Sequence, residues 1–212
     1  MNKDIIENLR KKLTEPLPGR QAQIEMSHVL RRSYQSAPAN AQLAGVMILL
    51  YPEDGLWKVV FTQRTSKYAN DKHKGQMSFP GGKMEMTDRD LEETAKRETH
   101  EEIGVHRGLI QTLGNLSDLY IPVSNFKVQP VVGYVEEALE FVLEENEVAE
   151  LVSLDIDNLC SNKIRKTKDI KISGQMTLKR VPYFNIQGKV VWGATAMILN
   201  EFVTLFKHKS AP

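Results

Sequence analysis

The chain has 212 residues, a length for one domain with an elaboration. With 41% apolar and 26% charged residues, disorder, collagen and coiled coil are excluded, and roughly 70% of the extended surface can be buried without disulfides or structural metal. A net charge of +1 gives no global pull toward nucleic acid or membrane, and the single Cys160 excludes an internal disulfide and cysteine-built zinc sites.

Taken in order, Ile5, Ile6, Leu9 and Leu13 recur at helical spacing, so residues 4–13 are predicted as a short amphipathic helix, stopped by Pro16 and Pro18-Gly19. Residues 16–42 read as an extended lead-in. Gly45–Tyr51 and Trp57–Gln63 are strand-like, and Pro52-Glu53-Asp54-Gly55 between them is a hairpin turn. Residues 66–76 read as a polar, basic loop. A helix is predicted over 88–103, capped by Thr87, with Asp88, Asp90, Glu92 and Glu93 at the positive end of its dipole and Gly104 beyond its end. Further strands are predicted at about 109–115, 127–135, 149–154, 170–173 and 189–192. Met197, Ile198, Phe202, Leu205 and Phe206 give a closing helix over 194–207 its apolar stripe. Strands on both sides of a central helix predict an α+β fold with a mixed sheet. The charged N-terminus is no signal peptide, and the longest nearly apolar run, Ala44–Tyr51, is far short of the ~20 residues that span a bilayer.

The densest chemistry lies in Arg97-Glu98-Thr99-His100-Glu101-Glu102-Ile103-Gly104-Val105. On a helix, Glu98, Glu101 and Glu102 stand at i, i+3 and i+4, within an arc of about 100°. Like charges at that spacing repel, so something must neutralise them. A hard divalent cation is the obvious candidate, because Mg²⁺ and Mn²⁺ prefer carboxylate oxygen. A solvated acidic helix face is the plainer reading of the same three residues. The flanks favour the cation: Gly81-Gly82 lets backbone approach a metal or phosphate closely, and Arg97 can hold one carboxylate in place.

At these residues the sequence resembles the Nudix hydrolase family. The family signature is Gly, five residues, Glu, seven residues, then Arg-Glu-aliphatic-any-Glu-Glu-any-Gly-aliphatic. Gly82, Asp88, Arg97, Glu98, Glu101, Glu102, Gly104 and Val105 stand in those roles. Asp88 replaces the first Glu, eight residues rather than seven separate it from Arg97, and Thr99 takes an aliphatic place. Phe61-Thr62-Gln63-Arg64, followed by His73-Lys74-Gly75-Gln76-Met77-Ser78-Phe79-Pro80-Gly81-Gly82, is similar to the coenzyme A pyrophosphatase subgroup, which shares the extra residue. The likeness continues at Ser124–Gly133 and at Val191-Trp192-Gly193-Ala194-Thr195-Ala196. One departure stands out. The subgroup usually carries an Arg before the His, where this longer loop has Asn70 or Asp71, with Lys67, Lys72 and Lys74 nearby.

The resemblance implies a Nudix-type α/β/α sandwich, with residues 1–40 as a helix and lead-in and 41–212 as the hydrolase domain. It implies a metal-dependent diphosphatase cleaving coenzyme A or acyl-coenzyme A to 3′,5′-ADP and (acyl-)4′-phosphopantetheine. The alternatives are an ADP-ribose or other nucleoside diphosphate-sugar hydrolase and a catalytically silent nucleotide-binding module. Glu98, Glu101, Glu102 and the Gly82 carbonyl would ligate Mg²⁺ or Mn²⁺. Arg97 would position a carboxylate, and the general base would be a box Glu or a loop acid. Glu147 is the closest match among Glu144, Glu145 and Glu147, which read equally as a solvated turn. Arg64, His73, Gly81 and Gly82 would bind substrate, His73 alternatively bonding the loop backbone. Trp192 reads as core or as a stacking partner for adenine, and the basic stretch Ile164–Lys171 as a phosphate-attracting or solvated loop. Neither nucleic acid nor membrane is an expected partner, a reducing, cytoplasmic home is expected, and the N-terminal 40 residues cover either the fold's own surface or the second subunit of a homodimer.

Overall fold

The computed structural model describes residues 3–28, 36–65, 75–173 and 176–207. Strands β1 (Gln42–Glu53) and β2 (Leu56–Arg64) form an antiparallel hairpin. Its turn residues, Asp54 and Gly55, have φ of 52° and 77°, the two left-handed positions that a two-residue hairpin of native twist requires. β1 also runs parallel to β7 (Phe126–Tyr134), from Gln42 opposite Phe126 to Leu50 opposite Tyr134. Covered on both faces, β1 is an unbroken apolar run rather than an alternating one.

The main sheet has the order β3-β2-β1-β7-β5, with β3 at Met77–Ser78 and β5 at Gln111–Asn115. β4 (Gly81–Lys83) pairs with β1, β6 (Leu119–Ile121) with β7, and β8 (Val148–Asp155) with β2. On one face, Met47, Leu49, Tyr51 and Val60 pack with Ala95 and Ile103 of α3 (Leu91–Ile103). On the other, Ile48, Leu50, Val59 and Phe61 pack with Ile198, Leu199 and Phe202 of α5 (Gly193–Lys207). A second sheet, β11-β10-β9, is built from β9 (Arg165–Ser173), β10 (Met176–Ile186) and β11 (Lys189–Trp192). The expected α+β architecture with a mixed sheet is the one observed.

Several expectations need correction. The central helix starts at Leu91, not 88, because Asp90 rather than Thr87 caps it, accepting from the Glu93 amide at 2.8 Å. The expected extended lead-in contains a helix, α2 (Gly19–Glu25). The stretch 164–171 is largely strand β9, paired with a strand, β10, that sequence reading missed. A short helix, α4 (Ile156–Cys160), follows β8. The closing helix and α1 (Lys3–Lys12) lie within a residue of expectation. Among the described residues, no helix is long and apolar enough to cross a membrane.

α2 covers the fold's own surface. It packs on α5, where the fully buried Glu201 carboxylate accepts from the Gly19 amide (3.1 Å), Gln23 Nε2 (2.7 Å) and the Ser117 amide (3.1 Å). Removing that carboxylate orphans buried donors on two segments, each costing roughly 1–3 kcal/mol. Glu201→Ala should therefore lower the urea unfolding midpoint by the equivalent of about 3 kcal/mol or more, with Glu201→Gln retaining part of the loss, as measured by denaturant titration.

Candidate active site

The site begins with a close approach. A Cβ built on Gly45 of β1 would lie 2.3 Å from the Leu91 carbonyl, so only glycine lets α3 seat directly on the sheet. At Gly82 a Cβ would meet the Glu98 carboxyl carbon at 2.5 Å, so a larger residue there would push the Glu98 side chain aside rather than the helix. The two glycines bring the acidic helix face against the β4 backbone.

Arg97 is the centre of the polar network, with its side chain 6% exposed. Nε donates to Asp88 Oδ1 (2.9 Å) and Nη2 to Asp88 Oδ2 (3.0 Å) and to the Lys83 carbonyl (3.0 Å). Nη1 donates to Glu98 Oε1 and Glu101 Oε2, both at 2.8 Å. Asp88 also accepts from the Glu85 amide (2.9 Å) and from Thr94 Oγ1 (3.0 Å). The Arg97 hydrogen bonds dominate and hold the Asp88 carboxyl down at about 2, from an ordinary 3.8.

Glu102 is 3% exposed, at the end of the sheet where the Arg64 charge and the Gly81 amide face it. Thr62 Oγ1 stands 3.4 Å from its Oε2 and 3.2 Å from Ser78 Oγ. Burial pushes Glu102 up to about 8, countered by Arg64 and the Gly81 amide and reinforced by Glu98 and Glu147. Burial also raises Glu98, with Arg97 opposing and Glu101 and Glu147 adding to the rise. Glu147 lies exposed just before β8, and its carbonyl accepts from the Thr65 amide at 2.8 Å.

The structure thus brings together Glu98, Glu102, Arg64, Gly81, Gly82 and, through its field, Glu147. Glu101 is half exposed and faces Arg97, with Arg107 3.9 Å away. His73, with Lys67, Asn70, Asp71, Lys72 and Lys74, lies outside the described residues. Among the described residues, no three His, Cys, Asp or Glu side chains stand close enough to hold a cation by themselves. One buried and one partly buried carboxylate beside a backbone loop nevertheless make a hard-oxygen donor set that fits a divalent cation, since charges held this way are costly without compensation. Asp88, read from the sequence as the stand-in for the signature's first Glu, is the carboxylate that holds Arg97. Thr62 is a supporting residue that sequence reading did not assign, although it sits in the motif ending at Arg64 and could have been found there.

A helix thus presents carboxylates to a glycine-lined strand and is braced by a fully bonded arginine. Residues 41–172 match the NUDIX domain family, and the chain belongs to it. It is 34% identical over 179 residues to the Uncharacterized Nudix hydrolase NudL of Pectobacterium atrosepticum, covering 84% of this chain and 88% of that one. It is 31% identical over 200 residues to Nudix hydrolase 3 of Caenorhabditis elegans, covering 84% and 80%. A solved MutT/nudix family protein from Enterococcus faecalis aligns with TM-score 0.49 and 12% identity over 98% of this chain and 73% of that one. The chain is a Nudix hydrolase, a pyrophosphohydrolase, and hydrolases of this family generally use divalent cations.

The lowering of Asp88 from 3.8 to about 2 corresponds to folded-state stability on the order of 2 kcal/mol. Because the folded value is depressed, this contribution is complete above about pH 4 and disappears as pH falls toward 2. Asp88→Asn should cost on the order of 3 kcal/mol at pH 7, and its deficit relative to the parent should shrink between pH 4 and 2 in urea titrations.

Proposed function

We propose that this Nudix hydrolase cleaves the diphosphate of coenzyme A or an acyl-coenzyme A, releasing 3′,5′-ADP and 4′-phosphopantetheine or its acyl form. One observation carries the reading. The two described stretches that carry the subgroup resemblance, ending at Arg64 and at Gly82, both meet the acidic helix. Thr62 stands beside Glu102, the Gly81 amide donates to it, and Gly82 leaves room for Glu98. A likeness concerned only with packing has no reason to concentrate there.

Glu98, Glu101 and Glu102, with the Gly82 carbonyl, would hold Mg²⁺ or Mn²⁺. Such a cation, when bound, neutralises diphosphate charge and acidifies a bound water. The chain's own residues supply the rest. Arg64 binds a phosphate oxygen through charge-assisted hydrogen bonds, and His73 contributes a second contact. Arg97 fixes the rotamer of Glu98. The attacking water gives its proton to a carboxylate, for which Glu147 and the box glutamates are the candidates, as its oxygen bonds to phosphorus and the bridging P–O bond breaks. The division into residues 1–40 and a hydrolase domain of 41–212 belongs to the same reading.

Purified protein incubated with Mg²⁺ or Mn²⁺ and, separately, coenzyme A, ADP-ribose and NADH should release 3′,5′-ADP from the first and little from the others. AMP from ADP-ribose alone would overturn the substrate reading. Glu102→Gln should lower kcat by on the order of a thousandfold or more, several kcal/mol in the barrier, with an unchanged melting temperature. Near-normal turnover would refute the ligand assignment.

A further inference from the structure

Across β2 from the carboxylates, a cleft of about 570 Å³ opens between the end of the main sheet and the second sheet. That volume is in the range of small-molecule sites. Gln63 and Met77 line it from β2 and β3, Lys168 and Lys171 from β9, and Lys189 and Trp192 from β11. The antiparallel ladder assembles it from distant positions: Tyr183 of β10 lies opposite both Lys166 and Trp192, and Lys168 opposite Val181. Lys168 Nζ stands 5.9 Å from the centroid of the Tyr183 ring. Thr195 Oγ1 donates to the Met77 carbonyl at 3.0 Å and so pins the start of α5, just after Trp192, to the cleft floor.

The charge in this cleft is one-sided. Asp169 is occupied by Lys179 Nζ (2.8 Å) and the Arg180 amide (2.9 Å). Lys189 is matched by Glu150 and also donates to Gln63 Oε1 at 3.1 Å. Among the described residues, Lys168 and Lys171 have no carboxylate partner within ion-pair distance. Two lysines without a carboxylate partner, lining the same cleft as a partly buried indole, suit one chemistry, a flat heteroaromatic ring carrying a phosphate ester nearby. The cleft also adjoins the reaction. Gln63 and Arg64 are the last two residues of β2, and the ladder shifts register between them: Gln63 lines the cleft and meets Lys189, while the Arg64 charge acts on Glu102, so the cleft and the carboxylates flank the same strand end.

We propose that this cleft is a specificity pocket for the nucleotide half of the substrate. The Trp192 indole stacks on the base, and Lys168 and Lys171 grip a phosphomonoester on the ribose. The proposal rests on the pyrophosphohydrolase reading above for its substrate, but its binding chemistry can be tested separately. Lys168→Ala/Lys171→Ala removes two exposed side chains and leaves the packing of the second sheet alone. Lys11→Ala/Lys12→Ala, on α1, removes the same charge elsewhere.

Equilibrium dialysis of these proteins with 3′,5′-ADP and with 5′-AMP, without metal, tests the pocket independently of turnover. The parent should bind 3′,5′-ADP about tenfold or more tightly than 5′-AMP. That preference should vanish in Lys168→Ala/Lys171→Ala and persist in Lys11→Ala/Lys12→Ala. Equal affinities in the parent, a preference surviving loss of the cleft lysines, or its loss in the α1 control would overturn the pocket. In the hydrolysis assay, the ratio of kcat/KM for coenzyme A to that for dephospho-coenzyme A should fall about tenfold in the cleft variant, through KM. A normal binding preference with no hydrolysis of either compound would overturn the substrate reading and leave the pocket standing.

Discussion

A guanidinium sunk into a protein needs every N–H answered, and Arg97 finds acceptors for all five. They come from three directions: the segment before α3 through Asp88, the end of β4 through the Lys83 carbonyl, and α3 itself through Glu98 and Glu101. One side chain therefore fixes how far the helix stands from the strand and how Glu98 points. The glycines allow the approach, and the arginine makes it definite. An arginine replaced by lysine would keep the charge and lose the fork, so the position tolerates no conservative exchange.

Around this brace the fold accepts electrostatic cost. Glu102 is buried and Glu98 partly so, the first in the field of the second and both in that of Glu147, and desolvation raises both. Nothing in the packing of the sheet requires it, since the apolar clusters on either face are complete without them. Local disagreement of this kind is expected where a chain is shaped for chemistry rather than stability. Thr62, Ser78 and the Gly81 amide temper the cost around Glu102 without removing it, leaving an environment ready for a positive partner.

Much of this was legible in the sequence. The spacing of Glu98, Glu101 and Glu102 puts them on one face, and the Asp54-Gly55 turn fixes the first hairpin. The apolar run through β1 and the stripe on α5 announce the two cores. The helix start was misplaced because Thr87 with Asp90 three residues on reads as a capping box, whereas Asp90 is itself the cap and Asp88 is drawn to Arg97. β9 and β10 were obscured because half of each faces solvent with lysines and threonines, giving no clean alternation. α2 has little apolar periodicity and is held by Glu201, a residue far along the chain. The cleft was the least legible feature: Lys168, Lys171, Lys189 and Trp192 meet only through strand pairing. The sequence left Trp192 between core and ligand. It belongs to neither apolar cluster and lines the cleft.

The Glu201 clamp bears on the order in which the molecule comes together. Gly19 and the carboxylate that receives its amide are separated by 182 positions, so α2 waits for a helix made long after it. Such a closure carries a large loop entropy and gives nothing back until α5 is docked. The sheet and α3 can assemble from segments synthesised between these ends. The carboxylate that anchors α2 sits on the same helix that covers one face of the sheet, so seating α2 and completing the core are tied to one element.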